Sequence, residues 1–170
     1  LAYTYYLLYN INTTNLHIIT GGMAMLRNLI EQGYGEEDDL NCAEKILYGA
    51  NQVYKLGLDK NSLRMAAGFG GGMAIGSVCG GLTAAIMVLG ILFVKNNAHE
   101  SKKIKELTQE LFVNYRKEMG EIHCDPLKAR HRTDEIKCRN VIAKAAAALD
   151  TIVKRELSEP LAHPLVTENS

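Results

Sequence analysis

The sequence predicts an all-α protein, a compact bundle of five or six helices with a glycine-rich loop ahead of a buried central helix. Three observations carry this expectation. Apolar residues recur at spacings of three and four along most of the chain, the period of a helix that buries one face. Helix start and stop residues bracket those runs. No run alternates apolar and polar residues as a half-buried strand would.

Taken in order, Ala24 to Gln32 reads as a short helix ended by Gly33, followed by an acidic, solvated turn from Glu36 to Asp39. Asn41 and Glu44 have the spacing of a capping box, and Ala43, Ile46, Leu47, Ala50, Val53 and Tyr54 carry the next helix to Gly57. Asp59 caps a shorter helix through Ala67, which the run Gly68 to Gly72 breaks. Ser77 is the expected cap of a central helix extended by Leu82, Ile86, Leu89 and Leu92. Asn97 and Glu100 offer a second capping box, for an amphipathic helix with Ile104, Leu107, Leu111, Tyr115 and Met119 in one stripe and Gly120 as its stop. Cys124, Asp125 and Pro126 then read as a loop or short turn, and the polar stretch from Lys128 leads to a last helix from about Cys138. In that helix Val141, Ile142, Ala145, Leu149, Ile152 and Val153 are expected inside, with Asp150, Lys154 and Glu156 outside.

Domain organisation follows from composition. Residues 1–22 contain no Asp, Glu, Lys or Arg and lack the basic start and continuous apolar core of a signal peptide; they read as an N-terminal extension that need not be native. Residues 23–157 form one domain, and residues 158–170, with Pro160 and Pro164, a C-terminal tail. The uncharged window from Met65 to Val94 raises a membrane span, but its glycine-rich first part leaves only Val78 to Val94, better suited to a core helix. The cytoplasm is therefore the expected compartment, which argues against structural disulfides. Nineteen basic and nineteen acidic side chains cancel, so no global field recruits nucleic acid.

Of the chemistry-bearing residues, the four cysteines stand out. Cys42, Cys79 and Cys138 each fall in or beside a predicted first helical turn and share a face with apolar neighbours. Free cysteine packs well as a small hydrophobe, so inward direction alone decides nothing. Position at a helix start means more, because the unpaired N–H groups there favour thiolate, the form that ligates metals and attacks disulfides. No Cys-x-x-Cys pair occurs, which removes a thioredoxin-type motif, covalent haem attachment and the paired pattern of common zinc sites. Any shared site must be assembled by the fold.

Asn41-Cys42-Ala43, Gly68-Phe69-Gly70-Gly71-Gly72-Met73 and Val78-Cys79-Gly80, followed by solitary Cys124 and Cys138, resemble the C_GCAxxG_C_C family of redox-active proteins. The likeness runs from about Asn28 to Leu157. In that family the second cysteine opens Cys-Gly-Ala-x-x-Gly, whereas here Gly81 stands for the alanine and Ala84 for the last glycine. A similar domain forms part of split-Soret cytochrome c, beside haem-binding sequence that this chain lacks. The resemblance implies that Cys42, Cys79, Cys124 and Cys138 form one redox or metal site without haem.

Three functions compete. In the first, the four thiolates bind an iron-sulfur cluster, most simply [2Fe–2S], for electron transfer with a redox partner whose identity the sequence does not give. The second is a thiol-disulfide oxidoreductase with Cys79 as nucleophile and Cys138 or Cys42 resolving. The third is a structural zinc or thiol scaffold that acts by binding. For that role Gly72, Gly76 and Gly80 would let helices approach closely, within a subunit or across a homodimer.

Backbone N–H groups of Gly70, Gly71 and Gly72 are candidate donors to sulfur near Cys79; the loop lacks the Lys-Ser/Thr of a phosphate-binding loop. His123 and His131 are candidate ligands or proton carriers, for which a surface role is the plainer reading. The bases Lys128, Arg130, Arg132 and Lys137 lie between the last two cysteines. A solvated loop is the plainer reading; the functional alternative is that they offset thiolate charge or dock an acidic partner.

Overall fold

The computed structural model describes residues 25–158, so the N-terminal extension and nearly all of the C-terminal tail lie outside the described residues. Among these there are seven α-helices and no strand, only two isolated antiparallel bridges. The first helix, α1 (Leu26–Glu31), begins at Met25, which gives no side-chain cap. Its free N–H groups are received instead by Asp150. The Leu26 and Arg27 N–H groups donate to the carboxylate at 3.0 and 2.9 Å, and the Tyr54 hydroxyl adds a third bond at 2.5 Å. Asp150 is only 2% exposed, so the expected outward position is corrected. A carboxylate with three donors can be buried where an unpaired one could not.

Helix α2 (Cys42–Tyr54) starts with the expected capping box. The Asn41 side chain accepts from Ala43 and Glu44 N–H, and Glu44 accepts from Asn41 N–H. It ends at Lys55 in a left-handed conformation, before Gly57. Asp59 caps the short α3 (Lys60–Arg64) through Ser62 N–H. The glycine-rich stretch is more ordered than a loop. A 3₁₀ turn, Ala67–Phe69, leads into a wide turn at Gly72–Gly76, and four successive residues, Gly71, Gly72, Met73 and Ala74, have positive φ. At Gly72 a side chain is excluded outright, since a Cβ would stand 2.6 Å from the Ser77 backbone and 2.7 Å from Cys124 Cβ.

The central helix α4 (Gly80–Phe93) is apolar on all sides and packs chiefly against α2 and against α5 (Lys103–Met119). Ser77 does not cap it. Cys79 occupies the N-cap position, because an antiparallel bridge between Val78 and His123 draws the preceding backbone away. Helix α5 buries Leu107, Leu111 and Tyr115 along the predicted stripe and stops at Gly120, φ +70°. The Asn97 region forms a separate 3₁₀ turn, Ala98–Glu100, rather than the start of α5. Glu100 caps backwards, accepting from Lys95 and Asn96 N–H.

The segment expected as a loop at Cys124 is helix α6 (Cys124–His131), and α7 (Arg139–Ser158) follows a turn closed by the Thr133–Lys137 bridge. Two units are distinguished. The larger, Ala24–Ile152, contains every residue of the site described below; the last turns of α7, from Val153, belong to the other. None of the described helices is long and apolar enough to cross a membrane.

Candidate four-cysteine redox site

Four segments distant in sequence bring the cysteines together. Cys42 is the first residue of α2, and Gly80 makes room for it: a Cβ on Gly80 would stand 2.6 Å from Cys42 Sγ and 2.6 Å from the Phe69 carbonyl oxygen. Cys79 and Cys124 are drawn side by side by backbone. Cys79 N–H donates to the Ile122 carbonyl at 2.9 Å, and Cys124 N–H to the Ser77 carbonyl at 2.6 Å, on either side of the Val78–His123 bridge. Cys138 immediately precedes α7, where its carbonyl accepts the Ile142 N–H at 3.0 Å.

All four side chains line one cavity of about 30 Å³, closed by Leu127, Lys128 and Val141. All are free thiols. The site is graded in depth, with Cys79 and Cys124 buried and Cys42 and Cys138 partly exposed. Those two also border an outer cleft of about 400 Å³.

At Cys79, Cys124 and Cys138 a helix start does not lower the thiol as position suggested. Burial pushes the Cys79 thiol up to about 12, and the nearby Cys42 sulfur adds to this, while Gly81 and Leu82 N–H groups at the start of α4 pull the other way. Cys124 is also raised by burial, against the opposing Lys128 ammonium. Cys138 is raised by burial and by Cys42, opposed by Arg132, Lys128 and Lys45. Loss of water around a charged sulfur here outweighs a helix end.

The N–H groups that bear on the Cys79 sulfur thus belong to Gly81 and Leu82 at the start of α4, although Cys79 makes no side-chain cap bond there. Of the glycines expected in that role, Gly70 packs against the Asn41 side chain, Gly71 borders the outer cleft, and Gly72 is pressed beneath Cys124. His123 pairs with Glu121 on the surface at 2.7 Å, and neither it nor His131 lines the cysteine cavity. Sequence reading treated Tyr115 only as core. It is fully buried, its hydroxyl reaches the Val141 carbonyl at 3.4 Å, and burial together with the neighbouring Cys79 raises its pKa. Lys45, one turn after Cys42, is another residue the sequence did not single out. It is 9% exposed and lies 3.7 Å from Glu36, which Arg139 holds through two bonds of 2.8 and 2.6 Å.

The donor set suits a soft metal centre. Four thiols and no carboxylate or imidazole line the inner cavity, with N–H groups and an ammonium on hand to stabilise thiolate. Their spacing is less suited to one ion, since among the described residues no three His, Cys, Asp or Glu side chains are grouped to hold a metal.

Fold and site together define an all-α protein with a four-thiol site, two of its thiols buried and two partly exposed. The family described as "Putative redox-active protein (C_GCAxxG_C_C)" matches residues 40–152, more than half of the chain, and the chain belongs to that family. No curated protein and no solved structure matches it significantly.

Proposed function

We propose that this is an electron-transfer protein whose Cys42, Cys79, Cys124 and Cys138 ligate a [2Fe–2S] cluster in the cytoplasm. The observation that carries the reading is the meeting of all four cysteines on one small cavity that contains no competing oxygen or imidazole donor. Zinc would need its sulfurs gathered about 2.3 Å from a single point, an arrangement that the spread of these donors does not favour. A two-iron cluster asks for two ligands at each iron, the number that four cysteines supply. A cluster held there would store and release single electrons. The chain's own part is to supply thiolates, exclude water with Leu127 and Val141, and offset charge with Gly81 and Leu82 N–H groups and Lys128.

Anaerobic reconstitution with iron and sulfide tests this. About two irons and two sulfides per chain with visible charge-transfer absorption are expected, and their loss in Cys79→Ser and Cys124→Ser. A colourless, iron-free product under those conditions would refute the cluster.

One observation favours a second reading: Cys42 and Cys138 alone among the four border the open cleft. In a thiol-disulfide reaction the outer pair, rather than Cys79, would meet the substrate. One outer thiolate attacks a substrate disulfide and the other displaces the bound half. The substrate leaves as two thiols, and the protein retains the new disulfide. Cys79, buried and titrating near 12, is a poor attacking thiol. Thiol counts that stay constant under mild oxidant and reductant would exclude this route.

A further inference from the structure

The cleft beyond the thiols has a chemistry of its own. Its volume, about 400 Å³, lies within the range of small-molecule sites, roughly 300–1,000 Å³. Cys42 and Cys138 border it, together with the 35–41 turn, one side of α6 and the turn that leads to α7. Four cations line it, Lys45, Lys128, Arg132 and Lys137, against three carboxylates, Glu36, Asp39 and Glu135.

These charges are not equivalent. Glu36 is committed to Arg139 at 2.6 Å, with Lys45 at 3.7 Å. Lys128, Arg132 and Lys137 have no carboxylate within ion-pair distance among the described residues, and neither do Asp39 and Glu135 a base. Two of the bases are tied to the thiols. Lys128 lies on α6 and helps close the inner cavity on which all four sulfurs meet, and Arg132 follows directly on the end of that helix; both favour the charged form of the Cys138 sulfur. The thiol end of the cleft is therefore its positive end, in a concave surface where fields are strengthened by low-dielectric walls.

We propose that this cleft admits a small anionic molecule, bearing a carboxylate or phosphate, and that Lys128 and Arg132 hold its charge beside Cys42 and Cys138. Its use in electron or thiol exchange rests on the function proposed above; its preference for anions does not. A small molecule fits better than an acidic protein surface, because the partly exposed thiols lie in a concavity.

The two thiols report the preference directly. The full-length reduced chain is alkylated with iodoacetate, an anion, or iodoacetamide, its neutral counterpart, and the rates at Cys42 and Cys138 are read by peptide mapping. Thiolate content cancels in the ratio of the two rates, and the same cysteines in the urea-unfolded chain give the reference ratio. In the native chain the iodoacetate-to-iodoacetamide ratio at Cys138 is expected about tenfold above the reference, collapsing toward it at high salt and in the Lys128→Gln, Arg132→Gln double variant. A native ratio at or below the unfolded one, a ratio indifferent to salt and to the double variant, or no labelling of either outer thiol would each overturn the proposal. The salt series needs only the unsubstituted chain, so a folding defect in the variant leaves the test intact. Failed cluster reconstitution with a persistent anion preference would remove the cluster and keep the cleft; the converse would remove the cleft alone.

Discussion

The inner and outer halves of the cysteine site are built differently. Cys79 and Cys124 are fixed by the backbone bonds that flank the Val78–His123 bridge and are closed off from solvent. Cys42 and Cys138 stand at the starts of α2 and α7, partly exposed and facing the cleft. The inner pair has precise placement and little access; the outer pair has access and a cationic surround. A centre that exchanges electrons without exposing its whole interior needs both properties, and here different residues supply them.

The largest expected effect of this contrast is in reactivity toward a neutral alkylating reagent. A thiol titrating near 12 holds on the order of 10³-fold less thiolate at mildly alkaline pH than an ordinary cysteine. Cys79 should therefore be labelled at least that much more slowly than an unfolded reference thiol. Because its thiolate fraction grows with pH until the group titrates, its rate should still be rising about tenfold per pH unit after ordinary thiols have levelled. Peptide-resolved labelling across pH checks both statements. A Cys79 rate that levels near pH 9 would mean that burial does not control it.

Next in size is a control on global stability. Asp150→Ala removes the acceptor of Leu26 N–H, Arg27 N–H and the Tyr54 hydroxyl. Leaving these donors unpaired should cost on the order of 3 kcal/mol, measured by denaturant unfolding. None of these residues lines the cysteine cavity, so the difference in labelling between inner and outer thiols should survive in the folded variant. If the contrast disappears with Asp150, it reflects overall rigidity rather than the local burial of Cys79.

Gly80→Ala attacks the boundary between the two halves. Its Cβ would meet Cys42 Sγ and the Phe69 carbonyl oxygen, each at 2.6 Å. The sulfur can rotate but the carbonyl belongs to backbone, so a loss of about 1–3 kcal/mol is expected. Cys42 should be displaced, with faster labelling at Cys42 and weaker iron retention after reconstitution. Unchanged stability and unchanged Cys42 labelling would show that α4 does not support the outer thiol in this way.

Much of this arrangement was legible in the sequence, for reasons that can be named. Asn41 with Glu44 and the stop at Gly120 are local signals, and local chemistry fixes both in the structure. Family resemblance implied the meeting of the cysteines. What escaped depends on distant partners. Asp150 shares a helix with outward-facing charges, and only Leu26, Arg27 and Tyr54 explain its burial. Helix α6 buries little beyond Cys124 and Leu127 and so has no apolar stripe to announce it. Pro126 looked like a loop residue but lies in the first turn, where its missing N–H costs nothing. Cys79 replaces Ser77 at the cap because of a bridge to His123 far along the chain. Thiol acidity was misjudged in the same way: the helix start is visible in the sequence, whereas the desolvation that outweighs it is a property of the packed site.

The smallest predicted effect separates burial from hydrogen bonding at the inner thiol. Tyr115 is fully buried, bonded to the Val141 carbonyl at 3.4 Å and coupled to Cys79. Tyr115→Phe keeps the ring in its core position and removes one hydroxyl, so the stability loss should be about 1 kcal/mol. When Cys79 ionises the hydroxyl can turn from the Val141 carbonyl to the sulfur, and without it the thiolate is harder to form. Labelling of Cys79 should slow a few-fold while that of Cys138 stays within error. Faster labelling of Cys79 would mean that the tyrosine acts mainly as a plug over the sulfur, and that the inner half is guarded by sterics more than by the energy of burying charge.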